Sequence, residues 1–148
     1  LVKKSASAIP DKTFGVAVQA LVVLSLRSDT CPSCDIAAYM QSEATQLRRI
    51  LAKLVRSGLL VTREGRDGGY RLKQSPDSFT LADVYMALQT EEDRLCHLSE
   101  STGSNPFGQQ MSHAFTELKV ELEQSALQVL RQYTLADFAE RIKKTLNH

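Results

Sequence analysis

Residues 42–58 read Ser42-Glu43-Ala44-Thr45-Gln46-Leu47-Arg48-Arg49-Ile50-Leu51-Ala52-Lys53-Leu54-Val55-Arg56-Ser57-Gly58. Leu59-Leu60-Val61-Thr62-Arg63, Glu64-Gly65-Arg66-Asp67-Gly68-Gly69 and Tyr70-Arg71-Leu72-Lys73 follow. Leu47, Ile50, Leu51, Leu54 and Val55 recur at helical spacing and, at about 100° per residue, form one apolar stripe. Thr45, Arg49, Lys53 and Arg56 lie on the opposite face. Ser42 is the expected N-cap, with Glu43 in the first turn favouring the helix dipole. Gly58 is the natural stop. The two β-rich runs flank a glycine-rich turn that supplies positive φ angles, so they predict a hairpin.

Upstream, residues 1–11 are polar and include Pro10, which predicts a loose lead-in. Asp11 and Thr13 are candidate caps for a helix through Phe14, Val18, Leu21, Val22 and Leu24, apolar on most of its circumference and therefore expected to be buried. Ser28-Asp29-Thr30-Cys31-Pro32 breaks it. A short helix from about Cys34 to Met40 follows, with Ile36, Ala37 and Met40 inward. Residues 13–73 thus predict helix, short helix, helix with a basic outer face, and β hairpin. That order is a winged helix-turn-helix.

Downstream, Thr80 and Asp83 form a capping-box pattern, with Phe79 and Val84 placed as a hydrophobic staple. Tyr133-Thr134-Leu135-Ala136-Asp137-Phe138 repeats this grammar near the C-terminus. Between them, after a loop at 99–106, a long helix is expected over Phe107 to Gln132. Phe107, Met111, Phe115, Leu118, Leu122, Ala126, Val129 and Tyr133 are spaced along it by three or four, as in a coiled-coil seam. The last helix carries Leu135, Phe138, Ile142 and Leu146. The fold class is therefore mainly α, a winged helix-turn-helix with a two-stranded β wing and a long C-terminal dimerisation helix. It divides into a winged-helix unit at 12–90 and a dimerisation unit at 105–148.

A composition of 43% hydrophobic and 24% charged residues suits a globular chain. The net charge is only +1, so any nucleic-acid site must concentrate its cations locally. No apolar run reaches the roughly 18 to 20 residues of a membrane span, and no signal-peptide pattern is present. A cytosolic protein is expected. In a winged helix the second helix of the motif enters the major groove and the wing meets backbone or minor groove. Arg49 and Gln46, with Thr45 beside them, have the side chains that pair with guanine and adenine edges. Arg48, nearer the flank, suits phosphate, as do Lys53 and Arg56 further along. Arg63, Arg66 and Arg71 give the hairpin a cationic edge for phosphate or a narrow minor groove. Ser42 completes the candidate set. A solvated basic face beside an ordinary core stripe has the same periodicity, and some winged helices bind only proteins. A protein-interaction module is therefore the competing class.

The run Leu47 to Leu59, then Gly65-x-x-Gly68-Gly69-Tyr70-Arg71-Leu72 and Thr80-Leu81-Ala82-Asp83-Val84, closely resembles the Rrf2 family of bacterial regulators, the family of iron–sulfur-cluster, nitric-oxide and cysteine-metabolism repressors. The resemblance covers residues 12–90 strongly. Asn105-Pro106-x-Gly108 and Thr134-Leu135-Ala136-Asp137 extend it more weakly to the YwnA-type branch. It implies a homodimer that binds double-stranded DNA at a palindromic operator. Met111, Phe115, Leu118, Leu122, Ala126 and Val129 would form the interface. The other placement for that stripe is against the chain's own winged unit.

Cluster-binding members of this family carry three closely spaced cysteines after the fourth helix. Here Leu95-Cys96-His97-Leu98 holds one, so no cofactor is expected. The alternatives are a cluster on Cys96 with unusual ligands, or zinc on Cys31, Cys34, Cys96 and His97. Three cysteines argue against a disulfide framework. Cys31-Pro32-Ser33-Cys34 has the layout of a redox dithiol at a helix start, where a thiol pKa is lowered, and is a candidate redox switch. Small residues in a loop with no role are the plain alternative. His113 and the tyrosines Tyr39, Tyr70 and Tyr85 are read as surface or packing residues. No nucleophile–base pair, phosphate loop or carboxylate pair stands out, so an enzyme is not expected.

Overall fold

Asp11 opens the first helix as its N-cap, accepting from the Phe14 N–H at 2.9 Å. The computed structural model of the chain describes residues 11–89 and 100–146. Helix α1 spans Lys12–Ser25, α2 Ser33–Met40 and α3 Ala44–Arg56. Strands β1 (Leu60–Arg63) and β2 (Gly69–Leu72) follow, then α4 (Leu81–Leu88), α5 (Pro106–Leu130) and α6 (Leu135–Leu146). This is the winged arrangement that the sequence predicts.

Helix α1 is the centre of the molecule because it is apolar nearly all round. Phe14, Ala17, Val18, Ala20, Leu21, Val22, Val23 and Leu24 are all buried, and α1 packs against α2, α3, β2, α4 and α6. From α3 the stripe Leu47, Ile50, Leu51 and Leu54 enters this core, while Val55 is only half-buried at its margin. Removing a leucine-sized side chain from water contributes roughly 1.5–3 kcal/mol, so these four fix which face of α3 turns inward. Helix α3 ends as a Schellman motif. The Gly58 and Leu59 N–H groups donate to Val55 and Leu54 carbonyls, Gly58 has φ 87°, and the buried Leu59 covers the turn.

The hairpin is antiparallel, with Leu60 opposite Leu72, Val61 opposite Arg71, Thr62 opposite Tyr70 and Arg63 opposite Gly69. Its inner strand has a further neighbour that the sequence does not announce. Cys31 pairs with Tyr70 as an isolated antiparallel bridge, each N–H donating to the other's carbonyl at 2.9 Å. Gly69 makes that approach possible. It sits at φ 150°, and a Cβ there would lie 2.7 Å from the Pro32 nitrogen and closer still to the Cys31 carbonyl. The loop 28–32 is thus a third, single-residue edge of the wing.

Both capping boxes form. Thr80 and Asp83 exchange bonds at the start of α4, and Thr134 and Asp137 do so at the start of α6, at 2.8 and 3.2 Å. They also meet. Thr80 and Thr134 form a bridge, the Leu81 N–H donates to the Tyr133 carbonyl, and the Leu135 N–H donates to the Phe79 carbonyl. The repeated grammar therefore builds one junction between two helix starts. Leu127, Leu130 and Leu135 belong to the same buried cluster as α1 and α3. The core does not stop between the two expected units; α6 returns to lie on α1.

Candidate nucleic-acid interface

The outward side of α3 carries Thr45, Arg49 and Arg56, all exposed. At about 100° per residue they fall within about 40° of one another, opposite the buried stripe. Gln46 and Lys53 lie about a quarter turn to one side and are half-buried; Gln46, three residues before Arg49, borders it on that flank. Arg48 is on the other flank, where its Nε donates to the Ser33 hydroxyl at 3.5 Å, so α2 holds it. Lys53 and Arg56 also stand in the last turn of α3, where the helix dipole favours positive charge.

Ser42 departs from expectation. The N-cap of α3 is Glu43, with no side-chain cap bond and no acidic residue in the first turn. Ser42 sits one residue earlier, in the turn that Gln41 makes with φ 54°, and its N–H donates to the Ala37 carbonyl at 3.0 Å. Its hydroxyl is buried without a hydrogen-bond partner. In this conformation it can neither cap α3 nor reach a ligand. The tight two-helix turn takes its backbone for the α2 end instead.

Along the wing, side chains alternate between faces. Leu60, Thr62, Tyr70 and Leu72 take one face, with Leu60 entering the core. Arg63 and Arg71 take the other, and both are exposed, as is Arg66 in the turn. The hairpin thus carries three exposed guanidiniums, and β1 lies against α3.

The two thiols of the candidate switch are unlike. Cys34 is exposed in the first turn of α2, its Sγ 3.8 Å from Asp35 Oδ1. Cys31 is fully buried behind the wing bridge. Burial pushes its pKa above the ordinary value of 9.0; Arg27 opposes this, while Asp35 and Cys34 add to it. Alkylation needs the thiolate, so iodoacetamide at mildly alkaline pH should label Cys34 in the native protein and Cys31 only after denaturation. Peptide mass mapping reads this, and equal native labelling at Cys31 would show that the bridge opens freely. Cys96 and His97, in the zinc and cluster alternatives, lie outside the described residues. Among the described residues no group of three His, Cys, Asp or Glu side chains could hold a metal.

The long-helix seam is unevenly exposed. Asn105 caps α5, accepting from the Gly108 N–H at 2.8 Å, and Pro106 opens it. A Cβ at Gly108 would overlap the Gly103 backbone, which explains the Asn105-Pro106-x-Gly108 pattern. Leu127 and Leu130 are buried, but Phe107 is 73%, Leu118 45%, Leu122 57% and Val129 54% exposed. Met111, Phe115 and Ala126 are half-buried. By helical rotation Met111, Leu118, Leu122 and Val129 lie about a third of a turn from the side bearing Leu127 and Leu130, and Phe115 and Ala126 about a quarter turn or less. Half of the stripe, Met111, Phe115 and Ala126, is thus partly covered within the protomer, while Leu118, Leu122 and Val129 are left exposed.

A short helix leading into a stripe-anchored helix with an exposed basic face, followed by a glycine-turned hairpin, defines a winged helix-turn-helix. Residues 11–141 match the family described as Rrf2, iron-dependent transcriptional regulator, and the chain belongs to that family. A protein of Synechocystis sp. named as an HTH-type transcriptional regulator is 28% identical over 124 residues, covering 81% of this chain and 80% of the relative. Two solved structures share the fold. IscR of T. potens superposes with a TM-score of 0.66 at 19% identity, over 91% of this chain and 88% of its own. CymR (YrzC), the global cysteine regulator of B. subtilis, does so at 0.62 and 20%, over 95% and 98%. The iron in the family's description finds no fitting donor set among the described residues. Cys31 is a core thiol, and the chain's three cysteines are Cys31, Cys34 and Cys96. Among the described residues no helix is long and apolar enough to cross a membrane.

Proposed function

We propose that this chain acts as a homodimer on a palindromic operator and represses by occupying promoter DNA in the cytosol. Residues 12–90 present α3 to the major groove and the wing to the adjacent backbone or minor groove, and residues 105–148 supply the dimer contact. The observation that carries this is the outer face of α3, where Thr45, Arg49 and Arg56 stand exposed beside a wing bearing Arg63, Arg66 and Arg71. Arg49 reads a base edge, with Thr45 and Gln46 around it; Arg48, Lys53 and the wing arginines meet phosphate. The seam Met111, Phe115, Leu118, Leu122, Ala126 and Val129 is covered by its copy, since two-fold proteins match palindromic sites. No cofactor takes part. Thiol sensing is the narrower part of the reading. Cys34 is the thiol open to oxidants, and Cys31 joins it only when its bridge to Tyr70 opens.

Fluorescence anisotropy of the purified protein on its own upstream DNA, reduced and oxidised, at two salt concentrations, tests this. Tight, salt-sensitive preference over a scrambled duplex supports the regulator, and a change on oxidation supports the thiol switch. Equal binding to both duplexes in either state would favour the protein-interaction module. An apolar outer face on α3 would suit such a module better than the cations present.

A further inference from the structure

The tip of the wing is tied to the loop that precedes α2. Thr30 turns its hydroxyl toward the turn between the strands and donates to the Asp67 carbonyl at 2.7 Å. Asp67 follows Arg66 directly. Within the turn, the Gly68 N–H donates to the Gly65 carbonyl at 3.0 Å. The strand pairing ends at Arg63 and Gly69. Among the described residues the Thr30 bond is therefore the only hydrogen bond that ties residues 64–68 to a part of the chain outside the hairpin. One residue on, Cys31 is bonded to Tyr70 in both directions. Two residues on, Pro32 begins α2. Asp29, Thr30 and Pro32 face Arg63, Arg66 and Asp67 across a shallow cleft.

We propose that Thr30 is a positioning residue for Arg66. Its hydroxyl fixes the wing tip relative to α2, and so to α3, before DNA arrives. The physical reason is the turn itself. Gly65 and Gly68 leave it with wide conformational freedom, and an untied tip would have to be ordered at the moment of binding, which lowers affinity. The tie is one hydroxyl placed on a carbonyl, so removing it alters little else in the fold. This inference rests on the reading of the wing as a DNA contact.

The test compares wild type, Thr30→Val, Thr30→Ser, Arg66→Ala and the Thr30→Val/Arg66→Ala double variant, on the upstream duplex and a scrambled one. Valine keeps the branched shape and removes the donor; serine keeps the donor. Thr30→Val should weaken binding to both duplexes by about two- to tenfold, the range of a single net hydrogen bond, and Thr30→Ser should bind like wild type. In the Arg66→Ala background Thr30→Val should cost nothing further, because the two act through one contact. Hydrogen exchange of the 64–69 peptide, without DNA, reads the tie by itself and should be faster in both proteins that carry Thr30→Val and unchanged in Thr30→Ser. Faster exchange with unchanged DNA binding would overturn the positioning role, as would a full additive loss in the double variant. An Arg66→Ala protein that binds like wild type would remove the wing from the interface and the proposal with it; a weakened Arg66→Ala beside a silent Thr30→Val removes the proposal alone.

Discussion

Leu122→Arg is expected to convert the dimer into a folded monomer and to lower affinity for a palindromic operator by about 10²–10⁴-fold, the advantage that linking two binding modules confers. Leu122 is 57% exposed in the protomer and lies in the middle of the α5 seam. A charged side chain there meets water in the isolated chain, whereas in the proposed dimer it would be buried against a partner seam that carries the same added charge. Desolvating that unpaired charge at an interface is unfavourable by more than the lost leucine contact. Arginine is the informative choice because it adds positive charge. Non-specific attraction to DNA should hold or rise, so a loss of operator binding reports the missing second half-site. Sedimentation should show the mass of two chains for wild type and of one for the variant, with far-ultraviolet circular dichroism unchanged. A wild type that sediments as one chain, or a variant that sediments as two, would take the interface away from this seam.

Arg49→Ala is expected to weaken operator binding by roughly 1–3 kcal/mol for each subunit that reads a half-site, while binding to scrambled duplex changes far less. The exposed Arg49 lies one turn after Thr45 on the face opposite the buried stripe, so its fork has open access to a base edge. Arg49→Lys separates the two roles an arginine can play. Lysine keeps the charge and loses the bidentate fork, so it should restore non-specific binding without restoring discrimination. Arg66→Ala, by contrast, should weaken binding to every duplex and reduce the salt slope. Equal losses on all sequences for Arg49→Ala would move Arg49 from base reading to phosphate contact.

These expectations draw on features of unequal legibility. The stripe of α3, its Gly58 stop, the glycine turn of the wing and both capping boxes were readable because each is local. Spacing within one or two helical turns decides them, and they carry the residue types that the local backbone demands. The position of Ser42 was misread for a related reason. Serine before a periodic run resembles an N-cap, but the two-helix turn required Gln41 at positive φ and shifted the helix start, leaving Glu43 at the cap and the Ser42 hydroxyl buried. The dithiol spacing of Cys31 and Cys34 carries no information about their burial. Burial against Tyr70, a residue far along the chain, made them unlike.

By itself, the sequence determined the order of elements, the face that α3 turns to the core, the cationic character of the opposite face, and the grammar that starts α4 and α6. Each of these follows from helical or strand periodicity and from the conformational demands of a few residue types. Only the tertiary structure decided that Cys31 and Thr30 complete the wing, that the two capped helix starts pair at Thr80 and Thr134, and that Leu118, Leu122 and Val129 of the α5 seam stay exposed while Leu127 and Leu130 enter the core. Those outcomes rest on contacts between residues tens of positions apart. They are selected by how whole faces pack, and no local pattern in the chain encodes them.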